Sequence, residues 1–184
     1  MSTTLQRIAY SPLWLLLHAV ALLPFGALYA LSDALAWVAA SVVRYRRRLV
    51  EANIAAAFPD KTEAERRDIV KRFYRNFTDV FVETIKLLHI SDDEMRRRMV
   101  FEDIEHVERI AKDGRSIGLY CSHFGNWEWI TSITLWVYRA DNVEYSQVYR
   151  PLRNKWFDRF WFNLRKRFHS TSIPKNGVLR ALLQ

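Results

Sequence analysis

"SIGLYCSHFGNWEWITSITLWVY", residues 116–138, changes character halfway along, and its reading decides the fold. The apolar run 116–122, bounded by Gly114 and by the Gly125-Asn126 turn, reads as a short buried strand. Residues 127–138 read as a helix. A strand that hands over to a helix places the intervening residues at the carboxyl edge of a sheet, where α/β proteins bind ligands. His123 and Glu128 lie in that handover.

Spacing alone does not make them a pair. A chain with five histidines and 20 acids throws up H-x4-D/E by chance, and "HISDDE" repeats it with His89 and Glu94. There the context is a helix end running into Ser91, Asp92 and Asp93, which cap and start the next helix, so ordinary solvated surface is expected. His123 differs by its place. A neutral imidazole takes a proton from a hydroxyl near pH 7. It does so best when a carboxylate holds its other ring nitrogen. Residues five apart on one helix diverge by about 140°, so His123 must lie in the turn and Glu128 in the first helical turn. Gly125 as turn former and Asn126 as N-cap supply the break. The free N–H groups of that helix start suit an oxyanion or phosphate. A purely structural His–Glu hydrogen bond is the bland alternative.

Beyond 138 the alternation continues. "VEYSQVY" (143–149) reads as a second strand, 153–168 as a helix, 170–173 as a short strand, and a further helix comes after Gly177. Such alternation implies a parallel sheet with helices packed on it. Arg150 directly follows the second strand and is expected at the same sheet edge as His123. It either clamps a phosphate bidentately or is solvated. In 153–168, Trp156, Phe157, Phe160, Trp161, Leu164 and Phe168 form a helical stripe, with Arg153, Lys155, Arg159, Arg165, Lys166 and Arg167 on the remainder. That helix suits an anionic membrane surface, or it packs on the sheet with its charges solvated.

Upstream, residues 49–113 read as helices. Thr62-x-x-Glu65 is a capping box. Ile69, Phe73, Phe77, Val80, Phe81 and Leu88 give the helix it opens an expected core face. Helices are also expected at 91–99 and at 103–114, the latter ended by Gly114.

Residues 8–31 contain no Lys, Arg, Asp or Glu, and only Arg7 and Asp33 fall within 1–43. That length can cross a bilayer core of about 30 Å. It is too long, and lacks the basic start, for a cleaved signal. Pro24-Phe25-Gly26 either kinks one span or splits it into two helices, about 11–23 and 26–43, that dip in and return. Residues 1–43 are therefore read as a hydrophobic membrane anchor. Arg44, Arg46, Arg47 and Arg48 favour a cytoplasmic location for the rest of the chain.

The net charge of +8 calls for an anionic partner. Helix-turn-helix, zinc-ligand and RNA-recognition signatures are all lacking, so nucleic acid is not expected. No histidine cluster or cysteine pair suggests a metal, and neither a P-loop nor GxGxxG is present. The single cysteine excludes an internal disulfide, and Cys121 is expected to be packing.

"SHFGNWEW" (122–129) with "QVYRPLRNKWFD" (147–158) resembles the bacterial lipid A late acyltransferases, of lauroyl/myristoyl type. "RRLVEANIAAAFPDKTEAERRDIV" (47–70) and "IPKNGVLRALL" (173–183) extend the resemblance over nearly the whole chain. It implies an α/β acyltransferase domain over 44–184 behind the anchor. It also implies transfer of a fatty acyl chain from acyl carrier protein to a hydroxyl of a lipid A precursor, at the cytoplasmic face of the inner membrane. By resemblance His123 is the base, Glu128 its partner, and Arg150 binds substrate; Gly125 and Asn126 are also expected to bind substrate. The acyl-loaded carrier is a co-substrate, and no other cofactor is implied. The alternatives are another glycolipid, phospholipid or lipid acceptor, or an inactive membrane-surface module. Family members are longer, so the domain is expected to be incomplete at its carboxyl end and catalytically poor by itself.

Overall fold

The computed structural model describes residues 3–137 and 144–182. The chain is α/β: mostly helical, with a two-stranded parallel sheet among the described residues. In order the elements are α1 (Thr3–Leu22), α2 (Phe25–Trp37) continued by a π-turn (Val38–Val42), α3 (Arg47–Ala57), α4 (Glu63–Lys86), α5 (Asp92–Arg98) and α6 (Ile104–Lys112). Next come a 3-10 helix (Trp127–Leu135), β1 (Ser146–Tyr149), α7 (Lys155–Arg165), a 3-10 turn (Lys166–Phe168), β2 (Thr171–Pro174) and α8 (Val178–Leu182). Two compact units result, Ala19–Lys86 and Met1–His18 with Leu87–Gln184.

In the Ala19–Lys86 unit, the break at Pro24 separates two helices, as one of the two readings expects. Lys86 then donates to the carbonyl oxygens of Ala21 at 2.9 Å and Leu23 at 2.7 Å, satisfying acceptors that the end of α1 leaves open. Helix α2 meets α4 through residues four apart on both sides: Leu28, Ser32 and Ala36 against Tyr74, Thr78 and Val82, all buried. Polar bonds run along this seam. Tyr29 donates to Glu83 at 2.8 Å, the Ser32 hydroxyl to Thr78 at 2.9 Å, and Arg75 grips Asp33 through two bonds of 2.7 and 3.0 Å. On α2 this face combines Leu28 with the small Ser32 and Ala36, and other large side chains of the helix lie off it. Leu35, Trp37 and Val42 are exposed.

The expected core face of α4 is therefore rotated. Tyr74, Thr78 and Val82 are buried, whereas Phe73 and Phe81 are 40% and 49% exposed and stack with Phe77 along the helix. Apolarity alone pointed to the phenylalanines; the Leu28, Ser32 and Ala36 face of α2 selects the neighbouring face.

The turn into α3 holds Arg44 and Arg46 in the left-handed region, at φ 53° and 50°, which costs a non-glycine residue about 1–2 kcal/mol each. The turn is held by the Tyr45 N–H donating to the Ala39 carbonyl at 2.9 Å and by the Tyr74 hydroxyl donating to the Tyr45 carbonyl at 2.7 Å. Below it, Val50 and Ile54 of α3 close a small core with Ala36 and Tyr74. The capping box of α4 forms as expected: the Thr62 N–H donates to Glu65 at 2.8 Å, and the Glu65 N–H donates to the Thr62 hydroxyl at 3.3 Å.

In the other unit, β1 and β2 pair in parallel from Ser146 opposite Thr171 to Tyr149 opposite Pro174, connected through α7. These are the second and third expected strands, although 143 lies outside the described residues. The expected strand 116–122 is absent: residues 115–124 have no regular structure, and Tyr120 and Phe124 are fully or almost fully exposed. A strand exists only where its N–H and C=O groups find a ladder partner, and no described strand pairs with this segment. Cys121 is accordingly exposed, not packed. The helix expected at 127–138 is a 3-10 helix over Trp127–Leu135, with 138 outside the described residues. Helix α5 starts at Ser91, whose hydroxyl accepts from the Glu94 N–H at 3.2 Å, and α6 runs into Gly114 at φ 71°, a left-handed exit that glycine makes without strain.

Replacing Tyr74 by Phe removes the donor to the Tyr45 carbonyl. It should lower stability by about 1–2 kcal/mol, measured by urea unfolding of the detergent-solubilised chain. Thr62, with Lys61, holds the Glu65 carboxyl below its ordinary value. A lowered folded pKa stabilises above the unfolded pKa of about 4.5 and is lost as pH falls through the folded one. Glu65→Ala should thus lower the melting temperature at pH 7, and the difference should vanish well below pH 4.

Candidate active site

Glu128 sits in the first turn of the 3-10 helix. Its carboxylate is sheltered and engaged from an unexpected direction. Arg165, at the end of α7, donates Nε to Oε2 at 2.8 Å and Nη2 to Oε1 at 2.7 Å, with side-chain exposures of 19% for Arg165 and 12% for Glu128. Two parallel bonds at this depth fix the carboxylate plane. The Arg165 guanidinium also lies 5.8 Å from the Tyr149 ring, and Tyr149 is the last residue of β1. One arginine thereby relates Glu128 to the carboxyl end of the strand that Arg150 follows.

The 3-10 geometry sets Glu128, Thr131 and Thr134 in line at three-residue steps. The Thr131 hydroxyl donates to the Glu128 carbonyl at 3.2 Å, and that of Thr134 to the Thr131 carbonyl at 3.3 Å and to the Phe168 carbonyl. Thr131 and Thr134 are buried with Trp129 and Ile133, so the backbone beneath Glu128 is held on both sides.

His123 stands on the exposed segment before this helix, its ring 4.8 Å from that of Trp127 and tilted by 46°. Among the described residues no hydrogen bond joins it to Glu128. Gly125 makes the turn at φ 58°, a conformation that glycine adopts freely. Asn126 occupies the N-cap position without capping through its side chain, and its carbonyl accepts from the Trp129 N–H at 3.1 Å. His123, Gly125, Asn126 and Glu128 share one segment because they fall within six consecutive positions, and within it the His123 ring lies against Trp127 while the Glu128 carboxylate is held by Arg165. Because 116–122 is not a strand, His123 does not share a sheet edge with Arg150. Arg150 itself is exposed at the carboxyl end of the β1–β2 pair. There Lys175 follows β2 and donates its N–H to the Tyr149 carbonyl at 2.8 Å, which puts a second cation at the same edge.

Sequence reasoning missed Arg165 and Lys175. Arg165 is one of six basic residues in 153–168, and nothing local distinguishes the one that finds a carboxylate 37 positions away. The comparison pair behaves as surface: Glu94 is taken by Arg97 and Arg98 of its own helix. His89 is exposed yet not merely solvated, since it hydrogen-bonds the His18 ring at 2.8 Å. Among the described residues no group of three or more His, Cys, Asp or Glu is placed to hold a metal.

Residues 3–184 match the family described as bacterial lipid A biosynthesis acyltransferase, and the chain belongs to that family. It is 24% identical over 147 residues to a lipid A biosynthesis acyltransferase of Haemophilus influenzae, covering 80% of this chain and 45% of that protein. It is 23% identical over 141 residues to lipid A biosynthesis acyltransferase 2 of Shigella flexneri, covering 77% and 44%. The lipid A biosynthesis myristoyltransferase of Escherichia coli K12 is 20% identical over 139 residues, covering 76% and 41%. The matches thus span less than half the length of these relatives.

Removing one partner of a sheltered ion pair leaves the other uncompensated. Arg165→Met should destabilise the chain by about 3 kcal/mol, and the double variant Arg165→Met/Glu128→Leu should recover part of that loss. Urea unfolding followed by circular dichroism measures both.

Proposed function

We propose that this chain carries the reacting residues of an acyltransferase that moves a fatty acyl group from an acyl carrier protein thioester to a hydroxyl of a lipid A precursor. Family membership over residues 3–184, with His123 and Glu128 on one segment, is the observation that supports it.

The chemistry requires no enzyme nucleophile, because the thioester is already activated. An imidazole nitrogen of His123 takes the acceptor hydroxyl proton as that oxygen attacks the thioester carbonyl carbon. The tetrahedral intermediate collapses, the C–S bond breaks, and the imidazolium returns its proton to the departing thiolate. Glu128 stabilises the imidazolium. An ionised carboxylate has about four lone-pair sites. Arg165 takes one on each oxygen, so acceptor capacity remains for a His123 N–H when the exposed segment closes on substrate. Arg150 and Lys175 offer charge-assisted bonds to phosphate on the acceptor.

The reading includes a location at the cytoplasmic face of the inner membrane. Phe25–Val42, at 18 residues, is long and apolar enough to cross a membrane, whereas Tyr10–Leu22 is shorter. Helix α2 lies along α4, however, and α4 carries Asp68, Lys71, Arg72, Arg75, Asp79 and Glu83. Charges of that density are costly in hydrocarbon. A helix bound along such a neighbour is better suited to immersion of its apolar face in one leaflet, the re-entrant arrangement.

His123→Ala should lower acyl transfer from acyl carrier protein by about 10²–10⁴-fold. The change is made in this chain. Product formation on a lipid A precursor is measured with and without Glu128→Gln. Near-normal transfer by the histidine variants would refute the base, and multiplicative losses in the double variant would refute coupling through Glu128.

A further inference from the structure

A cavity of about 970 Å³ lies within the second unit, away from the residues proposed for catalysis. Its walls are the Tyr10–His18 part of α1, the Leu87-Leu88 turn and one face of α7. Neither His123, Glu128, Arg150 nor Arg165 lines it. The two helices are joined at one end by Tyr10, whose ring stacks on Trp156 at 4.8 Å and whose hydroxyl accepts from the Asn154 amide at 2.9 Å. At the other end the His18–His89 bond closes the frame.

The lining has two chemistries. Trp14, Leu15, Trp156 and Phe160 make an apolar wall, and Trp14 and Leu15 are 46% and 61% exposed, so the wall continues onto the open surface of α1. Lys155 and Arg159 stand one helical turn apart on α7, both exposed and both without an ion-pair or hydrogen-bond partner among the described residues. The other charges at the cavity are already occupied. Arg167 donates to the Ile90 carbonyl and to Asp92, and the Asp158 carboxylate, the one acid in the lining, is turned to the Leu152 N–H at 2.7 Å, so the lining carries a net positive charge from Lys155, Arg159 and Arg167. The result is an apolar slot with two uncommitted cations at its mouth.

We infer that this cavity binds one anionic phospholipid of the surrounding bilayer, phosphate on Lys155 and Arg159 and acyl chain along Trp14, Trp156 and Phe160. The inference rests on the membrane location proposed above. The volume falls within the usual range of ligand sites, about 300–1,000 Å³, and holds a headgroup with the first part of a chain. The rest of the lipid runs along the exposed apolar surface of α1. Tryptophans suit this boundary, having an apolar body and a polar N–H. A soluble phosphate ester would leave the apolar wall unused, and a neutral lipid would leave both cations unmatched. Since no proposed catalytic residue touches the cavity, the lipid held there is a fixed ligand that seats α1 and α7 at the membrane. It is not the acyl acceptor.

The test uses the 184-residue chain in nanodiscs of phosphatidylcholine with or without phosphatidylglycerol, released into the gas phase for native mass spectrometry. One phosphatidylglycerol should remain bound in preference to phosphatidylcholine. Lys155→Gln/Arg159→Gln should reduce its retention about tenfold or more, each cation contributing near an anionic surface. Trp14→Ala should weaken it independently. All these side chains are substantially exposed, so a wild-type circular dichroism spectrum should accompany the losses. Equal retention of the two lipids, or undiminished phosphatidylglycerol in the double variant, would overturn the proposal. So would displacement of the lipid by millimolar inorganic phosphate, which would define a simple anion site. Flotation with vesicles is measured in parallel. Wild-type chain that fails to float would refute the membrane location. Short-chain dihexanoyl phosphatidylglycerol in solution then tests the cavity by itself, and selective binding lost in Lys155→Gln/Arg159→Gln would still support it.

Discussion

The Arg165–Glu128 ion pair is the constraint around which the candidate site is arranged. It is sheltered, bidentate and long-range in sequence, and it holds the first turn of a nine-residue 3-10 helix against the end of α7. A 3-10 run of that length is uncommon because its hydrogen-bond geometry is poor, so it needs external support. Arg165 fixes its start, and Thr134 ties its later turns to the Phe168 carbonyl. Arg96 takes the Leu135 carbonyl at 2.7 Å at its end. Burial of Trp129, Ile133, Leu164 and Phe168 supplies the larger share of the stability, about 1.5–3 kcal/mol for each side chain, while the arginine bonds set the geometry. Arginine donors to carboxylate and carbonyl oxygens supply much of the specificity that a larger core would otherwise provide.

That arrangement sorts the basic residues of the chain. Arg96, Arg165 and Arg167 are engaged by protein oxygens, so their charges are largely satisfied internally. Lys155 and Arg159 at the cavity, and Arg150 and Lys175 at the end of the β1–β2 pair, have no such side-chain engagement among the described residues. Formal net charge treats both groups alike. The second group is open to an anionic lipid, as are other exposed arginines such as Arg44 and Arg48, and it falls at two places, the cavity and the end of the β1–β2 pair.

Local patterns were legible where the interaction that sets the structure is itself local. The Thr62–Glu65 box, the Ser91 cap, the Pro24 break, the glycine exit at 114 and the β1–α7–β2 order all depend on residues a few positions apart. Three features depend on partners that sequence position does not reveal. The buried face of α4 was set by the Leu28, Ser32 and Ala36 face of α2, which turned Phe73 and Phe81 outward. Segment 116–122 has strand composition but no described ladder partner. Glu128 lies within reach of a histidine in sequence, yet its hydrogen bonds go to Arg165. The residues of the candidate site were thus readable as a motif, while the group that holds Glu128 in place was not.

In the proposed reaction the contrast between Glu128 and His123 would serve the mechanism. Glu128 is fixed by two charge-assisted bonds on a buried helix, whereas His123 rests on an exposed segment against Trp127. A carboxylate that serves to orient and stabilise an imidazolium is best held rigid, because its contribution depends on a preorganised field. A base that must admit a lipid hydroxyl and a thioester from different directions gains from a segment not locked into a ladder, provided substrate binding closes it. In the proposed reaction the energy of that closure comes from the acceptor's contacts, and Glu128, already oriented by Arg165, supplies the geometry that His123 meets.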